Sequence, residues 1–150
     1  MKKNKLIIKT KSKTYPIYFG SDILNKTGNL INKNLPNIKK ICIIIDKKIN
    51  KILSKKLLDS LKKYNLKIYN ISSSEKTKNI NILNKIIEEL LKDNFNRSDC
   101  VIAFGGGVLG DLSAFISNLT KRGIKFINIP TTLLAQVDAS IGGKTGINSI

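Results

Sequence analysis

From residue 39 onward, uninterrupted apolar runs alternate with longer segments whose apolar residues return every three or four positions, and this alternation most constrains the fold. Residues 39–46, KKICIIID, carry successive apolar side chains closed by an acid. A strand apolar on both faces suits a parallel sheet covered by helices on either side. Next, Ile49, Ile52, Leu53, Leu57, Leu58 and Leu61 repeat at helical spacing with lysines opposite. A short strand follows at 67–71, then an amphipathic helix carried by Ile80, Leu83, Ile86, Ile87, Leu90 and Leu91. Residues 100–104 read as another buried strand, glycines and a helix from about Val108 come after it, and 124–129 read as the last strand. Strand and helix in turn, joined by short links, predict an α/β domain built on a mostly parallel sheet with flanking helices. Ahead of it, alternating runs at 6–10 and 15–19 predict an N-terminal β-hairpin. Ser21 and Asp22 are candidate N-caps for a helix through about Leu30.

Sheets of this kind bind ligands beyond the carboxyl ends of their strands. Asp46, the segment after Ile71, the glycines after Phe104 and the pair Thr131–Thr132 are therefore expected along one edge. The loop GGGVLGD, residues 105–111, follows a buried strand and opens a helix. Bare amides and the helix dipole can hold a pyrophosphate there, and a Cβ would keep the backbone away from it. The same residues also suit a plain strand-to-helix turn. No acid follows at the spacing usual for a ribose partner. Asp46, closing the buried strand at the same edge, can serve as that partner or as a helix N-cap. In IPTTLLAQVDASIGGKTG, residues 129–146, apolar periodicity leaves unexplained the paired threonines, an Asp138 that reads as buried, and the glycines before Lys144. A P-loop needs G-x-x-x-x-G-K-[ST], and the leading glycine is missing, so a nucleotide-triphosphatase reading is rejected. Lys144 still suits an anionic group.

The net charge of +17 raises the question of a nucleic-acid partner. Only Arg97 and Arg122 among the 27 basic residues are arginines, and Lys, Asn and Ile are enriched together, as A/T-biased codons produce. The lysines are spread through the first two thirds of the chain rather than clustered, without interleaved aromatic rings, so they read as a solvated face rather than a nucleic-acid surface. Cys42 and Cys100 fall inside strand-like runs and are expected to be buried free thiols. There is no His, so no metal ligand set is visible. The basic start is followed by an apolar stretch broken at Lys9, and no run is long enough to span a bilayer. A soluble, cytoplasmic domain without a membrane partner is expected.

From Ala103 to Asn148 the sequence AFGGGVLGDLSAFISNLTKRGIKFINIPTTLLAQVDASIGGKTGIN resembles the 3-dehydroquinate synthases nearly residue by residue. GGGVLGD, the stretch from KRG to IPTTLLAQVDAS, and IGGKTGIN carry the likeness. Iron-type alcohol dehydrogenases share a similar glycine loop but not PTTLLAQVDASIGGKT. The resemblance implies a Rossmann-like domain and NAD as cofactor. Asp46 would hold the adenosine ribose, with Glu75 and Lys78 on the adenosine side. Gly106, Gly107, Val108 and Asp111 would cradle the pyrophosphate and neighbouring ribose, and Thr131, Thr132 and Leu134 would line the nicotinamide half. Asp138 and Lys144 would contact the substrate, and Arg122 would reach its phosphate across a homodimer.

Three departures stand out. Where the family has Pro-x-Gly-Glu, this chain has Ser72, Ser73, Ser74 and Glu75, and a left-handed backbone at 74 would strain the serine. Thr120 replaces a tyrosine. The family continues into a helical domain with a Glu and two His as ligands for a divalent metal, zinc or cobalt, so residues 1–150 correspond to an NAD-binding domain ending before it. The implied activity is conversion of 3-deoxy-D-arabino-heptulosonate 7-phosphate, a phosphorylated sugar acid, into 3-dehydroquinate and phosphate in the shikimate pathway. The chain alone is expected to be inactive. A sibling sugar-phosphate cyclase, a non-catalytic NAD-binding module and a basic nucleic-acid binder are the alternatives.

Overall fold

The computed structural model describes residues 5–11 and 13–141. An antiparallel hairpin of β1 (Lys5–Lys9) and β2 (Thr14–Tyr18) comes first and forms its own two-stranded sheet. After α1 (Ile23–Asn34) come β3 (Lys40–Asp46), α2 (Lys51–Ser60), β4 (Asn65–Ile71), α3 (Ile80–Lys92), β5 (Cys100–Gly105), α4 (Gly107–Leu119) and β6 (Lys125–Pro130). The four later strands form one parallel sheet in the order β4-β3-β5-β6.

The uninterrupted apolar runs occupy the two central strands, where both faces are buried, and the more polar β4 and β6 take the edges. The two-residue period of the strands divides the core in two. Ile41, Ile43, Ile45, Ile102 and Phe104 pack with Ile31, Leu57 and Leu61 from the α1–α2 side. Cys42, Ile44 and Val101 face Leu83, Ile86, Leu90, Leu109, Leu112 and Ile116 of α3 and α4. Both cysteines are buried free thiols. Burial pushes the Cys42 thiol up to about 12 and raises Cys100 further, so neither is a nucleophile at neutral pH.

Several boundaries differ from the sequence expectation. The helix expected to end near Leu30 runs on to Asn34, because Ile31 is buried against the sheet and keeps the amphipathic stripe going. Asp22 precedes that helix in a left-handed conformation, φ 60°, and caps nothing. Its carboxylate accepts from Asn25 Nδ2 instead. In α2 and α3, Asn50 and Asn79 do the capping, each accepting from the backbone amide two residues on. Asp99 is fully buried at the amino-terminal end of the sheet, where its two oxygens accept from the amides of Lys40 and Asn96 at 3.0 and 2.9 Å. Sequence pattern gave no sign of that role.

Candidate functional site

The chain leaves β3 outward through α2 to β4, and leaves β5 in the opposite direction through α4 to β6. In sheets with such a reversal, ligands bind in the crevice beyond the carboxyl ends of the two diverging strands, here β3 and β5. Strand register brings the segments to one edge: Asp46 pairs with Ile71, Ile45 with Phe104, and Gly105 with Pro130. The four segments expected along one edge are there.

Asp46 is buried at the tip of β3, and its Oδ1 accepts from the Lys48 amide at 3.0 Å. That bond fixes the turn, and helix α2 has its own cap in Asn50, so Asp46 is not a helix N-cap. Asp46 and the glycine loop meet directly: a Cβ on Gly105 would stand 3.3 Å from the Asp46 Cβ and 2.8 Å from Leu109 Cδ2. A Cβ there would have to push aside the buried Leu109 side chain. At the start of α4, Gly106 is extended, φ −79° and ψ −174°, and supplies no side-chain cap. The first intrahelical bond runs from the Gly110 amide to Gly106 O, so the amides of Gly107, Val108 and Leu109 have no partner within the helix. On the far side of the loop, a Cβ on Gly106 would lie 3.4 Å from Thr132 Cγ2. Thr131 is tied in by its amide, which donates to Gly105 O at 3.0 Å, and Thr132 Oγ1 accepts from the Ala135 amide at 3.2 Å.

Lys78 and Asp111 come together from separate segments. Lys78 Nζ lies 2.8 Å from Asp111 Oδ2, with both side chains mostly buried. Lys78 stands between a short 3-10 turn, Glu75–Thr77, and the Asn79 cap of α3. Ser74 is extended, φ −152° and ψ 160°, so the serine that replaces a family glycine is unstrained. Glu75 is exposed on the same turn.

Three of the expected site residues stand apart. Asp138, which the sequence suggested was buried, is exposed: in the π-type turn Ala135–Ala139, Ala135 is the residue turned inward, and Gln136 and Val137 are exposed beside Asp138. Leu134 is likewise exposed. Arg122 lies before β6, at the opposite end of the sheet, roughly 17 Å of strand away from Thr131. It borders a shallow pocket with Arg97 and Lys121. Lys121 and Arg122 both take left-handed backbone, φ 51° and 63°, and Arg97 Nε donates to Lys121 O at 3.2 Å. Lys144 and Asn148 fall outside the described residues. Among the described residues no three His, Cys, Asp or Glu side chains come together, and no helix is long and apolar enough to cross a membrane. Asn128 was missed from sequence: its amide group lies 3.4 Å from where a Cβ on Gly110 would be, fitting β6 closely to α4.

The family model for the N-terminal part of 3-dehydroquinate synthase matches residues 68–150, more than half of the chain. The chain belongs to the 3-dehydroquinate synthase family. A 3-dehydroquinate synthase of Pelagibacter ubique is 48% identical over 145 residues, covering 97% of this chain and 39% of that protein. That of Buchnera aphidicola is 44% identical over 139 residues, covering 91% of this chain and 39% of the relative. This chain thus spans about two fifths of the length of the curated relatives it matches. Among solved structures, a 2-deoxy-scyllo-inosose synthase complexed with carbaglucose-6-phosphate, NAD+ and Co2+ superposes with a TM-score of 0.86 at 21% identity, over 97% of this chain and 39% of that one. A 2-epi-5-epi-valiolone synthase from Streptomyces hygroscopicus with NAD+ and Zn2+ bound gives 0.67 at 27% identity, over 76% and 33%. The first of these shows the shared fold.

Proposed function

We propose that this chain is the NAD-binding part of a 3-dehydroquinate synthase, the enzyme that converts 3-deoxy-D-arabino-heptulosonate 7-phosphate to 3-dehydroquinate with loss of phosphate. The observation that carries the reading is the uncapped start of α4 at the crevice, flanked by Asp46 on one side and Thr132 on the other. Amides of the first helical turn are a ready-made site for a dianionic pyrophosphate. The higher identity to 3-dehydroquinate synthases, 48% against 27% for the valiolone synthase, favours this reaction over a sibling cyclase.

NAD fits these residues. When bound it would accept a hydride from a ring alcohol of the substrate and return it later in the same turnover. Asp46 would receive the ribose hydroxyls from the tip of β3, on a turn already fixed by the Lys48 amide. Gly106, Gly107 and Val108 would approach the pyrophosphate with backbone alone. Lys78 offsets the charge of Asp111, so that carboxylate can sit near an anion without repelling it. Glu75 belongs to the adenosine side. Thr131, Thr132 and Leu134 would bound the nicotinamide half, and Asp138 and Lys144 would face the substrate. Arg122, standing at the far end of the sheet, would serve a second copy of the chain in a homodimer. The described residues do not fit a divalent metal, and no step through one is assigned to them. Two buried free thiols accord with a reducing, cytoplasmic setting.

Isothermal titration of the chain with NAD tests the reading. Binding should be saturable in the wild type and lost in Gly107→Val, whose branched side chain would crowd the pyrophosphate. Equal affinity in both proteins would reject it.

A further inference from the structure

We propose that Thr77 is a positioning residue of the cofactor site, its hydroxyl closing the loop that sets Lys78 against Asp111; this rests on the NAD reading above. The loop from Ser72 to Lys78 leaves the edge strand β4 and lacks both the proline and the glycine that could fix its path through backbone preference. Its shape is held by hydroxyls instead. Thr77 is buried, and its Oγ1 donates to Ser72 O at 2.7 Å. A hydroxyl has one proton. With that proton committed to Ser72, the 3.0 Å contact between Ser74 Oγ and Thr77 Oγ1 must run from the Ser74 hydroxyl to Thr77. Thr77 therefore bridges the two ends of the turn, and its own amide adds a third tie, to Ser74 O at 2.9 Å.

Next along the chain is Lys78, whose amide donates to Glu75 O at 3.2 Å and whose ammonium reaches Asp111. Downstream, Asn79 accepts from the amides of Asn81 and Ile82 and donates to Lys76 O at 2.6 Å. Lys78 is thus clamped between a capped helix and a hydroxyl-closed turn. The cap alone fixes only one side. Without the Thr77 hydroxyl, Ser72 O loses its partner, the 3-10 turn opens, and the ammonium is free to leave Asp111. The carboxylate then stands uncompensated in the second turn of α4, close to the helix start where the pyrophosphate would approach.

The test compares Thr77→Val, which keeps the shape and removes the hydroxyl, with Thr77→Ser, which keeps the hydroxyl. Amide hydrogen exchange on the 150-residue chain reads the loop directly. Thr77→Val should lose protection at the amides of Thr77 and Lys78 while the core strands stay protected, and Thr77→Ser should retain it. In NAD titrations, Thr77→Val should bind about tenfold more weakly, the value of one hydrogen bond, and Thr77→Ser should bind as wild type does. Unchanged protection in Thr77→Val overturns the proposal whether or not NAD binds. Unchanged NAD affinity in a Thr77→Val chain whose wild type binds NAD overturns it as well. A wild type that binds no NAD counts against the function reading, and the exchange measurement still decides the role of Thr77.

Discussion

Lys78 and Asp111, 33 residues apart in sequence, meet at 2.8 Å, and the contact ties the loop after β4 to the second turn of α4. Their side chains are only 17% and 23% exposed, so neither charge is well solvated alone. Removing one partner leaves the other mostly buried without its ion-pair partner, which costs more than a surface ion pair is worth. Lys78→Met should destabilise the chain by about 1–2 kcal/mol in urea unfolding, and adding Asp111→Asn should restore part of that. Additive losses in the double variant would show that the two side chains do not act as a pair.

Glycines at two helix contacts should behave in opposite ways. A Cβ on Gly28 would stand 1.9 Å from the backbone oxygen of Ser60, where α1 crosses the end of α2. Backbone cannot swing aside, so Gly28→Ala should cost about 2–4 kcal/mol and lower the melting temperature, with the crevice untouched. At Gly106 the new methyl group meets Thr132 Cγ2 at 3.4 Å, an ordinary contact. Gly106→Ala should keep stability within about 1 kcal/mol and weaken NAD binding instead. Thermal melts and NAD titrations on the two variants separate a glycine of the fold from a glycine of the site.

Much of this arrangement was legible beforehand. The buried strands at 41–45 and 100–104 announced themselves because central parallel strands must be apolar on both faces. Strand ends placed Asp46, the glycine loop and Thr131 on one edge for the same reason. Contacts between distant segments were not legible. Nothing in the periodicity of SSSEKTK pairs Lys78 with Asp111, and Gly28 looks like any helix glycine until Ser60 is opposite it. Asp138 was misjudged because apolar neighbours suggested burial, whereas Leu133, Leu134 and Val137 are themselves exposed. Asn79 could have been found: an Asn directly before an amphipathic run is a helix-start signal.

Acid should unfold the chain partly through Glu89. The Tyr69 hydroxyl donates to Glu89 Oε2 at 2.7 Å, and Lys67 Nζ lies 3.6 Å from the same oxygen. The Tyr69 hydrogen bond, then the Lys67 charge, hold the carboxyl below its ordinary value of 4.5, against desolvation. A lowered value in the folded state means that the unfolded chain takes up the proton first as pH falls. The stabilisation is therefore full above 4.5 and is lost as pH drops through that value towards the folded one. Tyr69→Phe removes the largest cause. Its stability deficit relative to wild type should be widest near about pH 6 and narrow towards about pH 3. A constant deficit across that range, in urea titrations at each pH, would show that the tyrosine contributes only packing.

Beyond β6 the chain presents Leu133 and Leu134, 76% and 72% exposed, with Val137 and Ile141 close behind in sequence and also exposed. Four large apolar side chains within one short segment form the kind of patch through which chains associate. The net charge of +17 opposes that association by mutual repulsion. Salt decides between the two effects, because the screening length falls from about 10 Å at 0.1 M to about 3 Å at 1 M. The isolated chain should therefore sediment largely as a monomer in dilute buffer and shift to larger species as salt is raised. Replacing Leu133 and Leu134 by Gln removes the attraction and leaves the charge unchanged, so that variant should remain monomeric at both salt concentrations. If it associates as the wild type does, the contact lies elsewhere, and the exposed Leu6 and Ile7 of the hairpin, with Phe19 just after it, become the residues to substitute next.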